Sequence, residues 1–219
     1  MNARTRIKVC GMREIGEVAG VVAAGVDAVG FIFVEASPRH IDPERVREIV
    51  STLPPFVDAV GVFVDQEIEV VNEIVQYCGL TKVQLHGNES PEYCKEINGR
   101  VMKAFRVGPT LTAADIAPYA GVVSAFLFDT YHDKAAGGTG QTFDWQRLEA
   151  LNPPGPVVLA GGLTPDNVGE AIRQVRPFAV DLNSGVESAP GHKDLDKVRA
   201  AVARVAATDR LLAEGERFP

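Results

Sequence analysis

FLFDTYHDKAAGGTGQTFDW, Phe126 to Trp145, starts as an apolar run, stops at a carboxylate, Asp129, and passes into a glycine-rich loop. Near the start of the chain IKVCG, Ile7 to Gly11, behaves alike and carries Cys10 at its end. Strands that end on reactive groups and open into loops are how a parallel α/β barrel builds an active site. Outward from these two segments, further strand-like runs follow at Ala28–Phe33, Ala59–Val64, Lys82–His86, Val101–Phe105, Val157–Gly161 and Phe178–Asn183. With Ile7–Cys10 and Val123–Asp129 they make eight.

Segments with helical spacing lie between the runs. Val70, Val71, Ile74 and Val75 share one face, as do Val198, Ala201, Val202 and Val205. Asp42-Pro43, Ser90-Pro91 and Thr164-Pro165 each set a capping side chain before a proline suited to the first helical position. Thr112 with Asp115 resembles a capping box. Eight strand–helix repeats predict a closed (β/α)8 barrel, a TIM barrel. An open doubly wound sheet is the alternative, but no GxGxxG follows the first strand. Residues 1–208 are read as this single domain and 209–219 as a C-terminal tail.

The 219 residues suffice for one domain with a real core, and mean hydropathy near zero fits an ordinary globular protein. A net charge of -7 argues against a nucleic-acid partner, which needs basic patches. It leaves room for a phosphorylated small substrate held by backbone N–H groups. No signal peptide is visible, and the longest apolar run, Ala28–Val34, is too short to span a bilayer. The odd count of three cysteines and their lack of metal-ligand spacing read as reduced thiols in a cytoplasmic protein.

Loops after the seventh and eighth strands are glycine-rich, LAGGLTPDNV and DLNSGVE. Barrels often bind phosphate there. Gly162, Ser184 and Gly185 are the candidates, with Gly138 and Gly140 of the GGTG loop as further donors. Side-chain alternation puts Asp129 on the face of Leu127 and Ala125, opposite Phe126 and Phe128. Bulky aromatics suit the helix-facing side, so Asp129 points into the barrel mouth. The same parity turns Lys8 inward with Cys10, and Asp181 inward with Asn183. Lys8 and Asp181 sit on strands adjacent in a closed barrel, so a buried ion pair is expected. Gln84 and His86 share the pore-facing parity, and His86 is open to two readings, a hydrogen-bonded structural histidine or a substrate contact. Arg39, in SPRH after the second strand, offers a planar fork suited to a carboxylate.

Together these segments resemble the phosphoribosylanthranilate isomerases of tryptophan biosynthesis. The matching pieces are KVCG, GFIF with SPRHI, VGVFVDQ, VQLHG, FDT with GGTGQTFDW, LAGGLTPDNV, and DLNSGVES with PGHKD. Asn183 departs from the serine common in the family, and Tyr131–Gly138 is variable in such enzymes. The resemblance implies an Amadori rearrangement of N-(5-phosphoribosyl)anthranilate to 1-(2-carboxyphenylamino)-1-deoxyribulose 5-phosphate. It implies Cys10 as general base, Asp129 as general acid and Arg39 on the anthranilate carboxylate. Gln84, His86, Gly138, Gly140, Gly161, Gly162, Asp181, Asn183, Ser184 and Gly185 complete the substrate-binding set. No cofactor or metal is implied, because the substrate's own nitrogen is the electron sink. The phosphosugar is the expected partner, with the chain a monomer or homodimer.

A free thiol titrates near 8.5 and a free aspartate near 3.9, so the site must lower one and raise the other. Lys8 and the strand-end turn are expected to favour thiolate, and burial to favour protonated Asp129. Other readings keep the barrel but change its chemistry. One is another sugar-phosphate isomerase or the related indole-pathway synthase. A broad-specificity isomerase would be expected to carry two aspartates, where this chain has Cys10. A third is a non-catalytic phosphate-ligand binding protein.

Overall fold

The structure, a computed structural model, describes residues 4–130 and 144–215. Eight parallel strands close into a barrel in sequence order. They are β1 (Arg6–Val9), β2 (Ala28–Ile32), β3 (Asp58–Phe63), β4 (Lys82–Leu85), β5 (Arg100–Val107), β6 (Ala125–Thr130), β7 (Val157–Leu159) and β8 (Ala179–Leu182). Alternating with them are α1 (Ile15–Ala23), α2 (Pro43–Val50), α3 (Ile68–Cys78), α4 (Pro91–Lys95), α5 (Ala113–Ile116), α6 (Arg147–Leu151), α7 (Val168–Val175) and α8 (Leu195–Ala213). A short antiparallel hairpin, β9 (Glu187–Ala189) and β10 (His192–Lys193), follows a 3-10 turn at Ser184–Val186.

Two cores follow from strand parity. Phe126 and Phe128 leave β6 outward and are fully buried under the helices. Burying each such ring contributes roughly 2–3 kcal/mol. Leu127 points inward and meets Val60, Met102, Ala104, Val158, Ala160 and Ala179 in the barrel interior. Above that layer Cys10, Ile32 and Val62 form a smaller cluster toward the mouth. β1 closes the barrel against β8 with Lys8 opposite Asp181.

Helix starts follow the sequence signals in part. Ser90 caps α4 by accepting the Tyr93 N–H at 3.2 Å, and Thr112 with Asp115 forms the capping box of α5. Asp42 precedes α2 without a side-chain cap. The Thr164-Pro165 expectation is corrected. α7 starts at Val168, because the Asn167 side chain first closes a turn by accepting the Thr164 N–H and donating to the Gly162 carbonyl. On α3 the buried face is Val71, Val75 and Cys78, while Val70 is exposed. α8 runs on past the 208/209 boundary to Ala213. Asp209 ties it to the chain start by accepting the Thr5 N–H and hydroxyl at 2.7 Å. No helix among the described residues is long and apolar enough to cross a membrane.

Candidate active site

The C-terminal ends of the strands surround a cavity of about 550 Å³. Cys10 and Asp129 both line it, as do Arg39, Gln84, His86, Gly161, Gly162, Asp181, Asn183, Ser184 and Gly185. Gly138 and Gly140 lie outside the described residues.

Cys10 follows β1 and is anchored by its N–H to the Leu182 carbonyl at 2.8 Å. Gly11 then turns the chain away with φ +76°, and a Cβ there would stand 2.8 Å from Arg39 Cδ and 2.9 Å from Asn183 Oδ1. Only glycine allows this approach, which brings the loops after β1, β2 and β8 together. Below Cys10, Lys8 Nζ donates to Asp181 Oδ2 at 2.8 Å inside the barrel, so the anticipated pair is present. Asp181 Oδ1 and Gln84 Oε1 are buried acceptors without a partner among the described residues.

The electrostatics of Cys10 differ from the sequence expectation. Burial pushes the thiol up, and the Lys8 ammonium draws it down only in part, opposed by the Asp181 carboxylate. Losing solvation of a sulfur anion outweighs one cation whose charge is already shared with a carboxylate.

Asp129, next to last in β6, is half-buried, with Oδ1 accepting the N–H of Thr130 at 2.8 Å. Its Oδ2 lies 3.4 Å from His86 Nε2. Gln84 Nε2 is 3.2 Å from His86 Nδ1, so with Gln84 donating the ring carries its proton on Nε2, facing Asp129. Gly161, with φ +84°, packs so closely that a Cβ would lie 2.7 Å from Asp129 Oδ1.

Arg39 is buried, not solvent-facing. Its Nε and Nη2 donate to Glu187 Oε1 and Oε2 at 2.8 and 2.7 Å, so that edge of the fork is taken, and Nη1 has no partner among the described residues. Beside it Ile32, Val34, Val62 and Val64 form an apolar wall of the cavity. The loops after β7 and β8 add Gly162, Ser184 and Gly185 to the lining, and their N–H groups have no acceptor among the described residues.

Two elements escaped the sequence reading. Arg106 lines the cavity and lies in register with Asp129, one residue past the predicted end of β5. Counting in twos from inward Ala104 would have found it. Glu187 and Lys193 lie within quoted motifs, yet nothing in their spacing signals a role beside Arg39.

A parallel barrel with a thiol and a carboxyl group facing one mouth defines the class, a (β/α)8-barrel enzyme of acid–base chemistry. The family model for N-(5'-phosphoribosyl)anthranilate (PRA) isomerase matches residues 7–204, and the chain belongs to that family. It is 53% identical over 195 residues to the N-(5'-phosphoribosyl)anthranilate isomerase of Trichlorobacter lovleyi, covering 89% of this chain and 94% of that one. Among solved structures, the phosphoribosyl anthranilate isomerase of Thermus thermophilus superposes with a TM-score of 0.84 at 36% identity, covering 93% of this chain and 99% of that one. A phosphoribosyl anthranilate isomerase in complex with reduced 1-(o-carboxyphenylamino)-1-deoxyribulose 5-phosphate gives 0.81 at 38% identity, with the same coverage of both chains.

Proposed function

We infer that this chain is the isomerase of tryptophan biosynthesis that converts N-(5-phosphoribosyl)anthranilate to 1-(2-carboxyphenylamino)-1-deoxyribulose 5-phosphate. The observation that carries the assignment of roles is one cavity with three chemically distinct parts. An apolar wall with Arg39 suits an aryl carboxylate, Cys10 and Asp129 suit proton transfer, and the β7 and β8 loops suit a phosphate.

In this reading Asp129 protonates the furanose ring oxygen while the amine lone pair forms the C1=N bond, which breaks the C1–O bond. Cys10 then takes the proton from C2. The C2–H electrons form the C1=C2 bond, and the C=N electrons return to nitrogen. The enolamine gains a proton at C1 and loses its enol proton, giving the ketone. Each positioned transfer contributes about 10²–10⁴-fold. The protonated Schiff base is a cation beside the sulfur, which favours thiolate at the step that needs it. His86 orients Asp129. Gln84 Oε1 and Asp181 Oδ1, the two orphan acceptors, suit sugar hydroxyls. The three free cysteines support a cytoplasmic setting.

The test is to mix the purified protein with phosphoribosylanthranilate and follow the loss of substrate fluorescence, with mass analysis of the product. Catalysed conversion to an isomer of unchanged mass is expected. No acceleration over buffer would reject the assignment.

A further inference from the structure

The PGHKD segment has no part in the chemistry above, yet it buries a lysine behind residues of the site. The turn between β9 and β10 folds back so that the Lys193 side chain is wholly buried. Its Nζ donates to Glu187 Oε1 at 2.8 Å and to Asn183 Oδ1 at 2.9 Å, and lies 3.4 Å from the Asn183 carbonyl. Glu187 Oε1 also accepts from Arg39 Nε and, at 3.2 Å, from the Gly191 N–H. Lys197 Nζ holds the Glu187 backbone carbonyl at 2.7 Å. Arg39, Glu187, Lys193 and Asn183 thus form one chain of charge-assisted hydrogen bonds. It runs from the aryl side of the cavity to the start of the 3-10 turn on the phosphate side.

We propose that Glu187 and Lys193 are positioning residues that lock Arg39 and Asn183 into one rigid frame, fixing the separation at which the substrate's aryl carboxylate and phosphate are held. Burial with two cations on one carboxylate makes the frame stiff. Each donor of Lys193 is engaged, and the planar guanidinium is held by two parallel bonds, so its Nη1, without a partner among the described residues, has a single direction. Loop residues alone would let Arg39 sample several rotamers and lose binding energy to ordering. The frame therefore acts as a ruler that selects for substrates carrying an aryl carboxylate at one end and a phosphate at the other.

This inference rests on Arg39 meeting the aryl carboxylate, so the test separates the two. Calorimetric titration would use two ligands, reduced 1-(o-carboxyphenylamino)-1-deoxyribulose 5-phosphate and the same compound lacking the ring carboxyl. Wild-type protein that binds both equally would reject Arg39 as the carboxylate site. Given a wild-type preference, Glu187→Gln should weaken the carboxylated ligand by on the order of 10- to 100-fold and leave the other little changed. Lys193→Met, which keeps the buried stem, should weaken both, because it releases Asn183 as well as Glu187. In an Arg39→Ala background, Glu187→Gln should add little further loss for the carboxylated ligand. Equal weakening of both ligands by Glu187→Gln, or full additivity with Arg39→Ala, would overturn the proposal. Should Glu187→Gln not fold, Lys193→Met decides alone, and wild-type affinity for both ligands would overturn it.

Discussion

Replacing Lys8 by Met tests how the barrel interior tolerates charge. Lys8 and Asp181 are 2.8 Å apart, with side chains only 5% and 6% exposed. Asp181 Oδ1 already has no partner among the described residues, so removing the ammonium leaves a carboxylate with no counter-charge in contact. Breaking a buried pair from one side costs about 3–5 kcal/mol. For a chain of this size that is a fall in melting temperature of roughly 6–20 °C. Burial already raises the Asp181 pKa, and Lys8 opposes that rise. Without Lys8 the folded-state value climbs further above the unfolded one. The penalty therefore acts above the folded pKa and fades as acid protonates the carboxyl, so the deficit should shrink between pH 7 and pH 4. Removing both charges, in Lys8→Met with Asp181→Leu, should recover most of the loss, since well-packed apolar replacements of buried pairs are often neutral. Urea unfolding followed by far-UV circular dichroism at several pH values measures all of this. Wild-type stability for Lys8→Met at pH 7, or a deficit that does not change with pH, would refute the reasoning.

Other expectations follow from the same contacts. Arg39→Ala should raise KM far more than it lowers kcat, and steady-state kinetics showing an unchanged KM would count against carboxylate binding. Burial raises the Glu187 carboxyl, but hydrogen bonds from Arg39 and Lys193 outweigh it and hold the group at about 2. A depressed carboxylate stabilises the fold above its ordinary pKa, and that contribution, roughly 3 kcal/mol, is lost as pH falls toward 2. Wild type should thus lose stability more steeply between pH 5 and pH 2 than Glu187→Gln, and parallel acid-unfolding curves would contradict it. Because burial raises the Cys10 thiol, iodoacetamide should modify Cys10 in the ligand-free protein with a midpoint above that of a free thiol. Peptide mass analysis across pH checks this, and a midpoint at or below the free value would contradict it.

Much of the barrel is readable because its strands are buried on both faces and appear as short apolar runs between turns. Parity then orients Asp129, Cys10, Lys8 and Asp181 without further information. The Lys8–Asp181 pair is foreseeable because a closed barrel makes the first and last strands neighbours. Strand ends are less legible. β5 runs on to Val107 and so carries Arg106 to the mouth, although the apolar run stops at Phe105. The start of α7 is hidden because Thr164-Pro165 has the form of a cap, while the competing side-chain bonds of Asn167 delay the helix. The pairing of Arg39 with Glu187 joins residues 148 apart through loops, where no periodicity constrains direction. The Cys10 environment escaped for another reason. A neighbouring lysine is visible in the sequence, but how far desolvation offsets it depends on depth in the barrel.

The central claim is that Cys10 and Asp129 act as base and acid over one bound phosphosugar. Single-turnover fluorescence with Cys10→Ala and with Asp129→Asn, each first shown to bind the reduced product analogue as wild type does, tests it most directly. The account predicts that each variant binds normally yet nearly abolishes conversion. Either variant turning over at a rate close to wild type would contradict it.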